Sequence, residues 1–312
     1  MTPAGSVLLL TTLTGFGYGL LAWLGILAAF AKLPPSPLFV PVAVVVALGF
    51  ASAGLVASTL HLGRPERAWR AFSQWRSSWL SREGVASLMT YPPALAFAVL
   101  WWLLGPDAIS TRTFGAIASG LGLLTVGCTA MIYASLKPIR QWHNPHTLPD
   151  HLIYAIFSGA VLLAALWELW FGAARVLAFA ALIAALVAAA AKVAYWRFID
   201  TQKPLVTLAS AIGLSDFGPA RPLDQPHFTE NYILREMGYQ IARKHAAKLR
   251  RIAACLAFFL PALLAFLAAF GFVPAVTTSA AALSALVGLF VERWLFFAEA
   301  THVSTIYYGY GR

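Results

Sequence analysis

One short stretch gathers the reactive side chains of this sequence. From His61 to Glu83, an imidazole and a carboxylate flank Arg64, Arg67, Arg70, Arg76 and Arg82, interleaved with Trp69, Phe72, Trp75 and Trp79. Imidazole and carboxylate are the groups best suited to hold and pass a proton near neutral pH. Guanidinium groups beside them stabilise negative charge developing on a bound group. The aromatic rings suit a water–lipid boundary, where one edge is wet and the other apolar. Each also has a plainer reading: Glu83 favours the positive end of a helix start, His61 is an interface residue, and the arginines touch lipid headgroups. Where the stretch sits separates these readings.

Composition places it at a membrane. With 60% hydrophobic and 11% charged residues over 312 positions, the chain carries more apolar surface than a soluble core of that length requires. A helix rises about 1.5 Å per residue, so about twenty apolar residues cross roughly 30 Å of hydrocarbon. Eight runs meet that length, near residues 7–31, 38–60, 84–104, 114–136, 152–171, 176–195, 252–272 and 276–300. The third contains Tyr91-Pro92-Pro93, which reads as a break in the helix. Barrel strands would alternate where these runs are continuous, and only helices satisfy their own backbone in lipid. The fold class is therefore an all-α integral membrane protein with eight transmembrane helices, a single polytopic domain over residues 1–312. The opening Met-Thr-Pro has no basic segment before it, so the first run is expected to be a retained span and not a cleaved signal peptide.

Lysine and arginine then set the orientation. One face collects the N-terminus, the loops after spans two, four and six, and the C-terminus, with 18 basic residues against Lys32, Arg112 and Arg175 on the other. That asymmetry predicts both termini and the long loops on the cytoplasmic side of a bacterial inner membrane. The net charge of +10 is thus topology, and no nucleic-acid module accompanies it. Residues 62–83 read as an interfacial hairpin. Residues 197–251 read as a cytoplasmic segment, extended in its proline-rich first half and amphipathic and helical from about residue 229, too small for a catalytic domain but sufficient to dock another protein. Arg67, Arg70, Arg140, Arg235, Arg243 and Lys244 are the candidate docking residues. Pro65-Glu66-Arg67-Ala68-Trp69 and Pro138-Ile139-Arg140-Gln141-Trp142 share a Pro-x-Arg-x-Trp exit, with tryptophan expected at headgroup depth, and hint at repeated helix pairs.

Cys128 and Cys255 both fall inside spans and no Cys-x-x-Cys occurs, so this chain builds neither an iron–sulfur cluster nor a zinc site of the usual spacing. A b-type haem needs two facing histidines at membrane depth. His61, His151 and His302 all lie near the basic edge, so a haem is not favoured. Glu292 and Glu299 share a face of the last span, Arg293 and Glu299 are expected to serve structural pairing, and Glu168 is a candidate on a proton route.

With His61 closing the second span and Glu83 opening the third, the stretch fits a quinone site, with Arg64, Trp79 and Arg82 beside them. A quinone, menaquinone or ubiquinone, has an apolar tail that needs lipid access and two carbonyls that are hydrogen-bonded and protonated as electrons arrive. Three segments strengthen this. "HLGRPERAWRAF…SSWLSREG", "MIYASLKPIRQW" and "NYILREMGYQIARKHAAKLRRIA" resemble the membrane-anchor subunit family of dimethyl sulfoxide reductase (DmsC type), over essentially the whole chain. The resemblance implies a non-catalytic anchor that holds a molybdopterin catalytic subunit and a four-cluster iron–sulfur subunit and exchanges electrons with the quinone pool. It puts quinone contact on His61 and Glu83. Because the basic loops read as cytoplasmic, the resemblance points to the branch of cytoplasmic sulfite dehydrogenase anchors, with electrons flowing from sulfite to quinone. An anchor for a dimethyl sulfoxide or other molybdenum reductase is the alternative. A secondary transporter is the rival class, and an assembly scaffold without quinone contact is a third; charges gathered at one surface and not at the midplane count against transport.

Overall fold

The computed structural model describes residues 3–60, 62–202, 206–224 and 241–308, with the side chains of residues 241–244 and of Tyr308 not described. Eight of its helices are long and apolar enough to cross a membrane. They are α1 (Gly5–Ala29), α2 (Phe39–Thr59), α3 (Trp79–Leu104), α4 (Ile109–Ala134), α5 (Thr147–Phe171), α6 (Arg175–Thr201), α7 and α8 (Pro274–Ala298). α7 runs over residues 241–269 as Ile241–Ala254, one π-helical turn at Cys255–Phe259, and Leu260–Ala269. Among the described residues there is no strand, only one isolated bridge between Ile139 and His302 that ties the α4–α5 loop to the C-terminal segment. An even number of spans puts the start of α1, the described residues 62–78, the α4–α5 loop, the end of α6, the start of α7 and residues 303–308 at one end of the bundle, called here the basic end.

α1 and α5 form the centre. α1 packs on α2, α4 and α5, while α5 adds α6 and α8; α3 lies against α4. Lipid offers no hydrophobic force between apolar helices, so close backbone approach must supply the attraction. At the α1–α5 crossing, a Cβ on Gly19 would stand 1.8 Å from the Ala155 carbonyl oxygen, and one on Gly159 would stand 2.1 Å from the Gly19 carbonyl carbon. Only glycine fits at either position. Alanine does the same work between α6, α7 and α8, where Ala181, Ala185, Ala188, Ala265 and Ala285 are buried. The π turn of α7 has a local cause: a Cβ on Gly288 of α8 would meet Ala257 N at 2.1 Å, and the Ser284 hydroxyl donates to the Leu256 carbonyl at 2.8 Å.

Three differences from the sequence reading matter. α3 begins at Trp79, a turn before the apolar run, because Ser78 caps it by accepting from Ser81 N at 3.5 Å. α3 then continues unbroken through Pro92 and Pro93; neighbouring helices and side chains make such prolines tolerable in a span, and here the Tyr91 hydroxyl pairs with Ser52 of α2 at 2.7 Å. The two Pro-x-Arg-x-Trp exits also part ways. Trp69 is exposed in a 3₁₀ helix, Pro65–Phe72, whereas Trp142 is buried and donates to the Phe296 carbonyl at 2.9 Å.

Gly19→Ala should lower the melting temperature of the purified protein in detergent by several degrees or abolish its accumulation, whereas Gly49→Ala, with nothing within 4 Å of its would-be Cβ, should leave it unchanged. Equal behaviour of the two variants would contradict the α1–α5 packing.

Candidate functional site

The early start of α3 decides where Glu83 goes. Four residues past Trp79 it lies about 6 Å inside the helix, beyond the reach of a cap, and faces the bundle interior with 5% of its surface exposed. The Thr129 hydroxyl of α4 donates to Glu83 Oε1 at 2.5 Å. Tyr18 of α1 is fully buried, with its hydroxyl beside that of Ser87, and it interacts electrostatically with Glu83 and Tyr91. A carboxylate in such surroundings is costly unless its oxygens are hydrogen-bonded or it carries a proton. The hydroxyls of Thr129 and Tyr18 are therefore part of the site, and both escape the sequence reading. Their spacing in sequence, on α1 and α4, gives no sign that they meet α3.

The other sequence candidates divide. His61 and Arg235 lie outside the described residues, and the side chains of Arg243 and Lys244 are not described. Arg64, Arg67, Arg70 and Arg76 are exposed around the 3₁₀ helix. Trp79 and Arg82 are half-buried, with the Arg82 guanidinium 4.2 Å from the Trp79 ring centroid. Arg82 turns back to the hairpin, donating to the Trp75 carbonyl at 3.0 Å and the Arg76 carbonyl at 2.7 Å. Phe72 closes the hairpin onto α3, its ring 3.1 Å from where a Gly84 Cβ would be. Arg64 and Glu83 are thus not gathered at one point: one is on the surface, the other inside. Arg140, half-buried, donates to Gln202 just past α6, so it fastens two loops of this chain to one another.

A second polar centre lies in the same end of the bundle. Lys192 of α6, 2% exposed, donates to Glu292 of α8 at 2.5 Å. Arg293 Nε pairs with the other Glu292 oxygen at 2.9 Å, and its Nη1 donates to His151 Nε2 of α5 at 2.8 Å. His151 Nδ1 in turn donates to the Thr147 carbonyl at 2.7 Å. This pattern makes His151 a neutral imidazole with both nitrogens engaged, leaving none for a metal. Asp150 is buried beside this group and interacts electrostatically with Lys192, Glu292 and Arg293. Aromatic rings wall the cluster, with Arg293 over Tyr154 at 5.0 Å and over Phe296 at 5.5 Å. Lys192, one of the 18 basic residues counted on the basic face, sits well inside α6, which runs on to Thr201. Removing it from the basic loops leaves their excess of cations intact. Arg293 does pair across to another helix, and Glu299 is held separately by Arg250 of α7 at 2.7 Å.

Glu168, at the opposite end of α5, accepts from the Thr278 hydroxyl of α8 at 2.7 Å and is remote from both centres along the helix. Among the described residues no group of three or more His, Cys, Asp or Glu side chains is arranged to hold a metal ion.

The chain's relatives fit this picture. Residues 3–309 match the family model described as DMSO reductase anchor subunit (DmsC). A sulfite dehydrogenase subunit of Allochromatium vinosum is 34% identical over 327 aligned positions that cover 99% of each chain. The anaerobic dimethyl sulfoxide reductase chain YnfH of Escherichia coli K12 is 29% identical over 119 positions, covering 36% of this chain and 39% of that one. No solved structure matches.

Glu292→Gln should leave Lys192 and Arg293 as facing buried cations and cost about 3–5 kcal/mol of stability, read as a large fall in melting temperature. Lys192→Met, which keeps the Arg293–Glu292 pair, should cost much less; two variants as stable as the parent would show that the pairs carry no structural weight.

Proposed function

The chain belongs to the DMSO reductase anchor subunit (DmsC) family, and from that premise we propose that it is the quinone-reactive anchor of a sulfite-oxidising molybdoenzyme complex. Anchor subunits of this family associate with the other subunits of such a complex, and the membrane bundle described above is the part that holds them at the lipid surface. The specific reading of sulfite oxidation rests on the A. vinosum relative, whose likeness runs the full length of both chains, while that to the reductase chain covers about a third. The partners proposed are an iron–sulfur subunit and a molybdopterin subunit on the cytoplasmic side of the inner membrane. The sign and one-sidedness of the loop charge support that orientation.

The single observation that carries the quinone reading is the buried Glu83 carboxyl at the basic end, with hydroxyls around it and no counter-cation bonded to it among the described residues. Bound there, a quinone supplies two-electron redox chemistry coupled to two protons. The donor set suits it: Glu83 holds a transferable proton, Thr129 fixes the orientation of the carboxyl, and Tyr18, beside Ser87, adds a second buried hydroxyl. Leu80, Leu88 and Met89, exposed on α3 on either side of Glu83 in sequence, give the apolar access that an isoprenoid tail requires. His61 is proposed as the second hydrogen-bond partner, with Arg82 and Trp79 shaping the hairpin wall and Arg64 adding positive potential at the surface. The exposed Arg64, Arg67, Arg70 and Arg76, with only Glu66 as acid among them, form the surface proposed to receive the partner subunit.

Glu83→Gln should lower turnover linked to decylubiquinone by about 10²-fold or more, with sulfite oxidation by an artificial acceptor and subunit stoichiometry unchanged. An intact complex that keeps its full quinone-linked rate would remove Glu83 from the chemistry and leave the chain a scaffold.

A further inference from the structure

Beside the Arg293 centre, where α1, α4, α5 and α8 meet, lies a small, partly open cavity of about 20 Å³. That is room for about one water molecule. Its walls include Thr12, Thr129, His151, Tyr154, Ser158 and Arg293. Thr12 and Tyr154 are each 4% exposed, and neither hydroxyl has a hydrogen-bond partner among the described residues. Two unpartnered buried hydroxyls on one small cavity are costly if it is dry and satisfied if it holds water. Thr129 belongs to this wall and is at the same time the group that donates to Glu83 at 2.5 Å. The Thr129 hydroxyl has a second acceptor, the Thr125 carbonyl at 3.1 Å, so its one proton has two places to point.

We propose that this cavity holds an ordered water that exchanges protons with Glu83 through the Thr129 hydroxyl, giving the carboxyl an internal proton supply. The inference rests on the reading of Glu83 as the proton donor to quinone. In the refilling step Thr129 Oγ1 passes its proton to the ionised carboxylate as it takes one from the cavity water. The negative charge left on the water is then neutralised by a proton from solvent. Arg293, fixed by His151 and Glu292, puts a permanent cation in the cavity wall and lowers the cost of that transient charge. His151 itself is not the source, since its Nε2 accepts from Arg293 and its Nδ1–H is committed to the Thr147 carbonyl. Thr129 is thus a positioning and relay residue, and Tyr154 holds the water.

The test uses the complex purified with its partner subunits in mild detergent, with decylubiquinone as the acceptor. The protonated carboxyl band of Glu83 is identified in the infrared spectrum by its loss in Glu83→Gln, and its hydrogen–deuterium exchange is timed. Thr129→Val should slow that exchange at least about tenfold and lower quinone-linked turnover with an enlarged solvent deuterium isotope effect. Thr129→Ser should restore both, and Tyr154→Phe, which keeps the ring, should slow exchange without changing KM for decylubiquinone. Should Thr129→Val fail to assemble, the serine and phenylalanine variants decide the matter. Exchange as fast as the parent in Thr129→Val or Tyr154→Phe, while Glu83→Gln still loses turnover, would overturn the cavity route and leave the quinone site standing. Full turnover in Glu83→Gln would overturn both.

Discussion

Ionised side chains in a low-dielectric interior must find partners, and in this bundle that constraint fixes the arrangement of three helices. Lys192 on α6, Glu292 and Arg293 on α8 and His151 on α5 form one continuous chain of contacts at 2.5–2.9 Å. Lys192, Glu292 and Arg293 cannot move away without stranding a charge in hydrocarbon, a change that costs several kcal/mol per ion, and His151 leaving would remove an acceptor from Arg293. The cluster therefore sets the register of α5, α6 and α8 at the basic end. Trp142, held on the Phe296 carbonyl, and Tyr195, donating to the Gln141 carbonyl at 3.0 Å, extend that fixed region into the α4–α5 loop. The Glu83 side is built on the opposite plan. It is a carboxyl among hydroxyls, bonded to Thr129 alone among the described residues, so its charge state is not committed in advance by an ion pair. One polar centre holds the helices, and the other is left able to change.

Small residues let these two centres sit close together. The contact between Gly19 and Gly159 brings α1 and α5 to backbone distance, and Gly25 of α1 lies equally close to the Gly115 carbonyl of α4. With α1 drawn tight against both partners, Thr12 and Thr14 of α1 reach the cavity that Thr129, His151 and Arg293 border. Larger residues at those crossings would widen the bundle by ångströms and open the cavity beyond the size a single water fills. The close packing of the apolar middle and the spacing of the polar end are consequences of the same glycines.

Much of this is legible in the sequence. Eight apolar runs correspond to eight spans, since apolar length against bilayer thickness is a strong signal. Glu83 stands out because a carboxylate beside a greasy run is rare. What cannot be read are the partners. Thr129, Tyr18 and Tyr154 are ordinary residues in apolar helices, and only the helix packing brings them to Glu83 and the cavity. Lys192 lies inside the 176–195 run yet is counted with the basic face because it stands near that run's end, whereas the helix continues to Thr201. Trp142 reads as an interfacial residue from its Pro-x-Arg-x-Trp context, and tertiary packing overrides the local pattern by giving its indole a buried carbonyl. The start of α3 depends on a Ser78 cap that hydropathy does not see.

The distribution of polar groups also bears on what kind of work the bundle does. A transporter needs its binding groups near the middle of the membrane and two arrangements of helices around them. Here Glu83, Thr129, His151, Glu292 and Arg293 lie in the turns nearest the basic end, and Lys192, further inside α6, reaches Glu292 there. Along α5, residues 159–166 carry no polar side chain, so about 12 Å of apolar helix separates Ser158 from the indole of Trp167 and from Glu168 beyond it. The centre of the bundle is moreover where the backbones pack closest, at Gly19 and Gly159, which opposes the rocking that alternating access requires. A rigid middle with a polar end suits chemistry carried out at one surface of the membrane, where a lipid-soluble carrier arrives from the side and a protein partner from the water. For that task the bundle has to hold its shape, and the pairing of Lys192, Glu292, Arg293 and His151 is what holds it where the carrier and the partner would meet.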